Sequence, residues 1–188
     1  MKTVFLIALA TARRVSELHA LSRVGTKVQD NQASISVARD FISKTQKPGD
    51  APLTFNITAN DSNGALCPVK CLKQYLSLTD KIRPDRNQLF ISFIAPHKDV
   101  SKDTISRWLA STIRDSYKNV DECLAPHVNA HEIRAIAASM FVRGNDVNDI
   151  ISTGLWKSKF CFLNHYFREV DWDLSGCGPI VVANKVVS

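Results

Sequence analysis

Every residue from Val4 to Ala10 is apolar. A run with no polar stripe predicts a helix over about residues 2–12 that is buried on most of its faces. Arg13-Arg14 ends it, and Ser16 is placed to cap a second helix through Glu17-Leu-His-Ala-Leu21, leaving Arg14 at the junction where the chain turns. From Gln32 to Ile42 apolar and polar residues alternate, with β-branched members. The alternation returns from Leu53 to Thr58 after a Lys-Pro-Gly-Asp turn, which predicts an antiparallel pair of strands.

Helical spacing resumes at Cys67, with Pro68 in the first turn and Val-Lys-Cys-Leu-Lys-Gln-Tyr-Leu following. After a turn at residues 83–87, the apolar run 88–94 reads as a third strand or extended segment. Ser101 or Asp103 opens a helix in which Ile105, Trp108, Leu109, Thr112 and Ile113 recur at helical spacing, so Trp108 belongs to the core. Lys98, Lys102, Arg107 and Arg114 make this region basic, and phosphate contact and simple solvation fit that face equally well. Residues 130–143 predict a further helix, stopped by Gly144. Beyond it lie a short amphipathic run at 147–152, then Trp156, then an apolar and basic stretch, 162–169. The tail from Trp172 to Ser188 ends in an apolar β-branched run that is suited to pack back, to pair as a strand or to dock on a neighbouring subunit.

The elements add up to a mainly α chain with a small antiparallel β-sheet. At 188 residues, 45% hydrophobic and 22% charged, it is long enough for one ordinary domain with its own core. The formal charge of +6 favours a polyanionic partner such as nucleic acid. Five cysteines, at 67, 71, 123, 161 and 177, are an odd and scattered set that reads as reduced packing residues in an intracellular setting rather than a disulfide framework. Cys67 and Cys71 have no second close Cys/His pair at finger-like spacing to complete a metal site. The opening apolar run is short, is followed at once by two arginines and lacks a cleavage region, so a buried helix explains it better than an export signal, and no membrane partner is expected.

The chemistry concentrates in two places. On a helix, His131 and Arg134 are three residues apart and project from one face. Far upstream stand Arg14 and Glu17, the carboxylate close enough to orient the guanidinium. Lys44 lies near the end of the first predicted strand, where it can reach a distant cleft or merely keep an edge soluble; Lys47 is its rival. Tyr166 is a candidate nucleophile, the plainer reading being an aromatic anchor, with His165 and Tyr117 weaker candidates. Two arginines, a histidine, a lysine and a tyrosine suit attack on a phosphodiester, because planar, permanently charged guanidinium forks match the charge that develops on phosphate oxygens. His131-Glu132 shares the start of a zinc-protease motif, but Ala135 stands where the second ligand histidine is required.

In this ordered set the sequence resembles the catalytic domain of tyrosine recombinases, the phage integrase family. The matching positions are Arg-x-Ser-Glu-Leu at 14–18, Lys44, His-x-x-Arg at 131–134, Trp156 and Tyr166. The wording around the motifs is similar to recombinases of eukaryotic mobile elements such as DIRS-type retroelements. The resemblance implies the DNA breaking-rejoining fold over residues 1–170 and a tail over 171–188 packing in cis or in trans; the sequence departs from the family pattern in that no N-terminal core-binding domain is expected. It implies that Arg14 and Arg134 clamp the scissile phosphate, that His131 hydrogen-bonds a nonbridging oxygen, that Lys44 protonates the 5′ oxygen and that Tyr166 attacks. Trp156 would donate its indole N–H, with Glu17 supporting the arginines. No cofactor, metal or ATP is implied. The implied partner is double-stranded DNA, bound as a homo-tetramer once a core-binding domain is joined, and in the nucleus if the host is eukaryotic. The alternative is a non-catalytic DNA-binding module derived from such an enzyme.

Overall fold

The computed structural model describes residues 1–44, 46–83, 85–117, 129–142, 159–165, 167, 170–171 and 180–181. Of the sequence-derived assignments, Trp156, Tyr166, Gly144, the run at 147–152 and most of the tail lie outside the described residues.

The apolar opening forms α1 (Lys2–Thr11), with Val4, Leu6, Ile7 and Ala8 buried. It packs on α3 (Pro68–Thr79), α4 (Lys102–Tyr117), α5 (Ala130–Val142) and the strand β3 (Thr54–Thr58), which is why so few of its positions are polar. Ala12 closes α1 in the left-handed conformation, φ 49°. A left-handed residue ends a helix sharply and redirects the chain. Arg13 and Arg14 follow, and α2 (Val15–His19) starts at once. Its N-cap is Arg14 and not Ser16. Glu17, in the first turn, accepts a hydrogen bond from the Arg14 backbone N–H (3.1 Å), so the carboxylate supplies the cap that the serine was expected to supply.

The helix also ends sooner than expected. Leu21 opens a strand, β1 (Leu21–Val28), which pairs antiparallel with β2 (Gln32–Val37), and β2 pairs antiparallel with β3. Ala33, Ile35, Val37, Phe55 and Ile57 alternate into the core. β1 escapes sequence reading because its register with β2 is irregular between Leu21 and Thr26, which breaks its own alternation. Gly25 sits in that irregular stretch against Ser36, where an added Cβ would come within 2.8 Å of the serine Cβ. The expected strand over 32–42 stops at Val37, because β3 begins opposite Ser36 and leaves residues beyond Val37 without a ladder partner.

The apolar segment 88–94 is not a third strand. It is bound piecemeal: Leu89 N–H donates to the Leu21 carbonyl (2.7 Å), Tyr75 Oη accepts from Ile91 N–H (2.9 Å), and the Arg83 guanidinium donates to the Leu89 carbonyl (2.8 Å) and to that of Gln88. Helix α3 begins as expected, with the Cys67 thiol accepting from Lys70 N–H and Pro68 in the first turn. Ser101 caps α4, its Oγ accepting from Thr104 N–H (3.1 Å), and Ile105 and Leu109 are buried while Trp108 packs half-buried on the core. Lys98, Lys102, Arg107 and Arg114 are all exposed. Cys67 and Cys71 are free thiols.

One large cluster joins α1, α2, the sheet, α3, α4 and Ile133 of α5. Burying a large aliphatic side chain such as Ile7 or Leu72 contributes about 1.5–3 kcal/mol. A second, small cluster holds the site together. Phe162 of α6 (Lys159–His165) is fully buried against Ala12, Ala137 and Ala138, with Phe167 beside it. The alanines let the backbones of α1 and α5 approach closely enough for one ring to close the gap. Towards the C-terminal end, β4 (Val170–Asp171) pairs antiparallel with β5 (Ile180–Val181).

Candidate functional site

Arg14 and Arg134 are more than a hundred positions apart in sequence and meet at one carboxylate. Glu17, only 1% exposed, lies 2.9 Å by Oε1 from Arg14 Nη1 and 3.8 Å by Oε2 from Arg134 Nη1. Arg134 is itself 1% exposed, one turn inside α5, whereas the Arg14 side chain keeps 22% of its surface. A carboxylate between two guanidiniums offsets the cost of burying them and fixes their forks in space. Its third contact, to the Arg14 backbone, ties that geometry to the start of α2.

Asn129 organises the other wall. Its Oδ1 accepts from the backbone N–H groups of His131 (2.9 Å) and Glu132 (3.2 Å), capping α5 and setting His131 in the first turn. His131 is exposed, Arg134 is buried, and both face the same opening. The opening is a cleft of ≈ 490 Å³ lined by Arg13, Arg14, Val15, Ser16, Ser106, Asn129, Ala130, His131 and Arg134. Three guanidiniums and an imidazole thus surround a space next to the positive end of α5, an arrangement suited to an anion.

Sequence reading treated Arg13 as a neighbour of Arg14 with no role of its own. The structure buries it to 8% exposure with Cζ 4.2 Å above the centre of the Phe55 ring. Burial pulls its pKa below the usual arginine value, Glu17 opposes that shift and Arg14 reinforces it. The doubled arginine was the only signal in the sequence, since the stacking partner comes from β3, some forty positions away.

Lys44 is not gathered into this cleft. It is exposed, seven residues past the end of β2, in the connection 38–53. Ser43 and Gln46 close a turn around it: Gln46 N–H donates to the Ser43 carbonyl (3.0 Å) and Ser43 N–H to Gln46 Oε1 (3.0 Å). Lys47 opens the next turn, its N–H donating to Asp50 Oδ2 (2.8 Å), and is equally exposed. Neither lysine lines the cleft. Further along, Phe167 N–H donates to the Phe162 carbonyl (3.0 Å) and the two rings meet edge to face at 6.4 Å, beside Ala12.

Comparison with known proteins extends this picture. The crystal structure of XerA recombinase is similar with a TM-score of 0.58 and 24% identity, over 84% of this chain and 49% of that one. XerH site-specific recombinase bound to its difH substrate before cleavage gives a TM-score of 0.56 at 14% identity, over 83% of this chain and 39% of that one. The post-cleavage XerH complex on palindromic difH gives 0.58 at 14%, over 86% and 40%. These likenesses show a shared fold, and the chain spans about half or less of each of those proteins. No curated protein matches it. The Phage integrase family pattern matches residues 1–171, nearly the whole length, and this chain therefore belongs to the phage integrase, or tyrosine recombinase, family.

Proposed function

We propose that this chain is the catalytic domain of a site-specific DNA recombinase that cuts and rejoins strands through a 3′-phosphotyrosine intermediate. The observation that carries the reading is the cleft of ≈ 490 Å³, roomy enough for a phosphate group, that Arg14, Arg134 and His131 line, with the buried Glu17 holding the two guanidiniums. Arg14 and Arg134 hold the two nonbridging oxygens of the scissile phosphate and meet the charge that grows on them. His131 donates a hydrogen bond to one of those oxygens. Tyr166 attacks phosphorus as its phenol proton leaves with the help of His131, the bond to the 5′ oxygen breaks, and Lys44 gives that oxygen its proton. The phosphotyrosine keeps the phosphodiester's energy, so a second 5′ hydroxyl reverses the step without ATP. Trp156 supplies an indole N–H at the same phosphate.

Exposed Lys98, Lys102, Arg107 and Arg114 suit the phosphate backbone of duplex DNA, and a tetramer on two duplexes is the assembly that strand exchange needs. The motif wording supports an origin in eukaryotic mobile elements of the DIRS type, and with it a nuclear location.

Joined to a DNA-clamping module and offered a nicked recombination site, the protein is expected to form a covalent protein–DNA adduct that Tyr166→Phe removes. An adduct that persists in that variant rules the assignment out. Salt-dependent DNA binding with no adduct on any substrate favours the non-catalytic module instead.

A further inference from the structure

Asn129 caps α5 with one end of its side-chain amide and leaves the other end open. Both hydrogen bonds to its Oδ1 come from backbone N–H groups, those of His131 (2.9 Å) and Glu132 (3.2 Å). A backbone N–H can only donate, so the end it meets is the carbonyl oxygen and the remaining end is the NH2 group. That NH2 has no hydrogen-bond partner among the described residues. The residue is exposed and lines the same cleft as Arg14, His131 and Arg134. The start of α5 therefore fixes in place a side chain with two unused N–H donors on the wall of that cleft.

The kind of cap matters to the chemistry. Asparagine, aspartate and serine cap helices about equally well, and an aspartate here would gain further from the helix dipole. It would also bring no donor, and it would line the cleft with the same charge as the anion that is to enter. An amide caps with its oxygen and presents N–H groups without adding charge of either sign. Phosphate oxygens in protein–DNA interfaces are met by asparagine side chains as well as by cations. We propose that Asn129 is a phosphate-binding residue of the cleft, its side-chain NH2 donating a hydrogen bond to an oxygen of the phosphate group held by Arg14, Arg134 and His131. This rests on the reading of the cleft as a phosphate site. Because the His131 backbone is one of the two groups that pin Asn129, the neutral donor and the imidazole belong to one rigid helix start. Residue 129 lies outside the His-x-x-Arg motif, so the sequence pattern gave it no role.

Inorganic phosphate is the probe. The melting temperature of the full chain is followed as phosphate is titrated in against chloride at matched ionic strength, because a ligand that binds only the folded state raises it. Two variants separate the donor from the cap. Asn129→Asp keeps the shape and the cap but has no donor, and Asn129→Gly has no donor, adds no charge and is a tolerated cap. Asn129→Gly is expected to weaken phosphate binding roughly tenfold, the size of one hydrogen bond to a charged group. Asn129→Asp is expected to weaken it further, since a like charge then faces the phosphate. Asn63 caps the short helix Gly64–Leu66 through the same kind of bond and lies outside the cleft, so Asn63→Gly is expected to leave phosphate binding unchanged. Affinity equal to that of the unaltered chain in Asn129→Gly overturns the proposal, the loss in Asn129→Asp then being repulsion alone. Equal affinity in Asn129→Asp overturns it as well, the amide then serving only as a cap. If Asn129→Gly does not fold, Asn129→Ser takes its place with the same expected loss and the same overturning result, because its capping oxygen ends one bond short of the amide nitrogen. An unaltered chain that shows no phosphate-specific stabilisation overturns the proposal together with the phosphate reading of the cleft. Phosphate binding that depends on Asn129 in a protein that forms no Tyr166 adduct supports this proposal while removing the recombinase chemistry.

Discussion

The arginine cluster and the Lys44 connection, which the proposed reaction would join, are built in opposite ways. Arg14, Glu17 and Arg134 are locked by charge, by a helix cap and by the packing of α1 on α5, and two of the three are almost wholly buried. Lys44 is exposed on a turn held by two hydrogen bonds between Ser43 and Gln46, outside the cleft. The difference matches what each part would have to do. Groups that stabilise charge work best when they are already in place, since moving them during the reaction would cost the energy they supply. A proton donor to a leaving oxygen is useful only beside the substrate, so its place is set when the substrate arrives.

The largest effect tests that division directly. Lys44→Ala is expected to slow adduct formation by about 10²–10⁴-fold, the usual worth of a general acid, while the denaturation midpoint stays within about 0.5 kcal/mol of the parent. Lys47→Ala is expected to leave the rate alone. If Lys47→Ala shows the loss and Lys44→Ala does not, the proton donor moves one turn along the connection.

Glu17→Gln should do the reverse. The amide keeps the shape but leaves two guanidiniums without their shared carboxylate, which costs about 3 kcal/mol when a buried pair is broken from one side. Urea unfolding measures it. A variant as stable as its parent would show that packing, and not charge, holds the cluster.

The smallest effect concerns His19, on the wall of a second groove that runs beside residues 38–41. Burial first, then Lys102, draws its pKa below the usual histidine value, with Asp99 opposing. The unfolded chain therefore binds a proton more readily than the folded one. Its contribution to stability is complete above the unfolded value of about 6.5 and is lost as pH falls from there through the lower folded value. His19→Gln should flatten the acid side of a melting-temperature profile slightly, because the ring is only partly buried. Lys44→Ala should leave that profile unchanged.

The helices were legible because each carries its own signal. The unbroken apolar run of α1, Cys67-Pro68 at the start of α3, Ser101 before α4, and the period of α5 all act within a few residues. The strand pair β2–β3 was legible from alternation. β1 was not, since its irregular register hides the alternation, and neither was the end of β2, which is set by where β3 begins. Segment 88–94 has the composition of a strand but takes its hydrogen bonds from Tyr75, Arg83 and Leu21 instead. Ser16 looked like a cap, and Glu17 displaced it because its carboxylate also serves two arginines.

For the site, residue types and order were enough to name Arg14, Glu17, His131 and Arg134, since phosphate chemistry restricts which side chains will serve. Their convergence was decided by tertiary packing: α5 on α1, with alanines at the contact and Phe162 closing it. The same holds for Arg13. Its neighbours in sequence say nothing of Phe55, because a stacking partner on another element is chosen by how the sheet meets α1. Local chemistry is written in the chain, residue by residue. Which distant groups share a low-dielectric space is a property of the packed core, because only burial brings them within reach and makes their charges count.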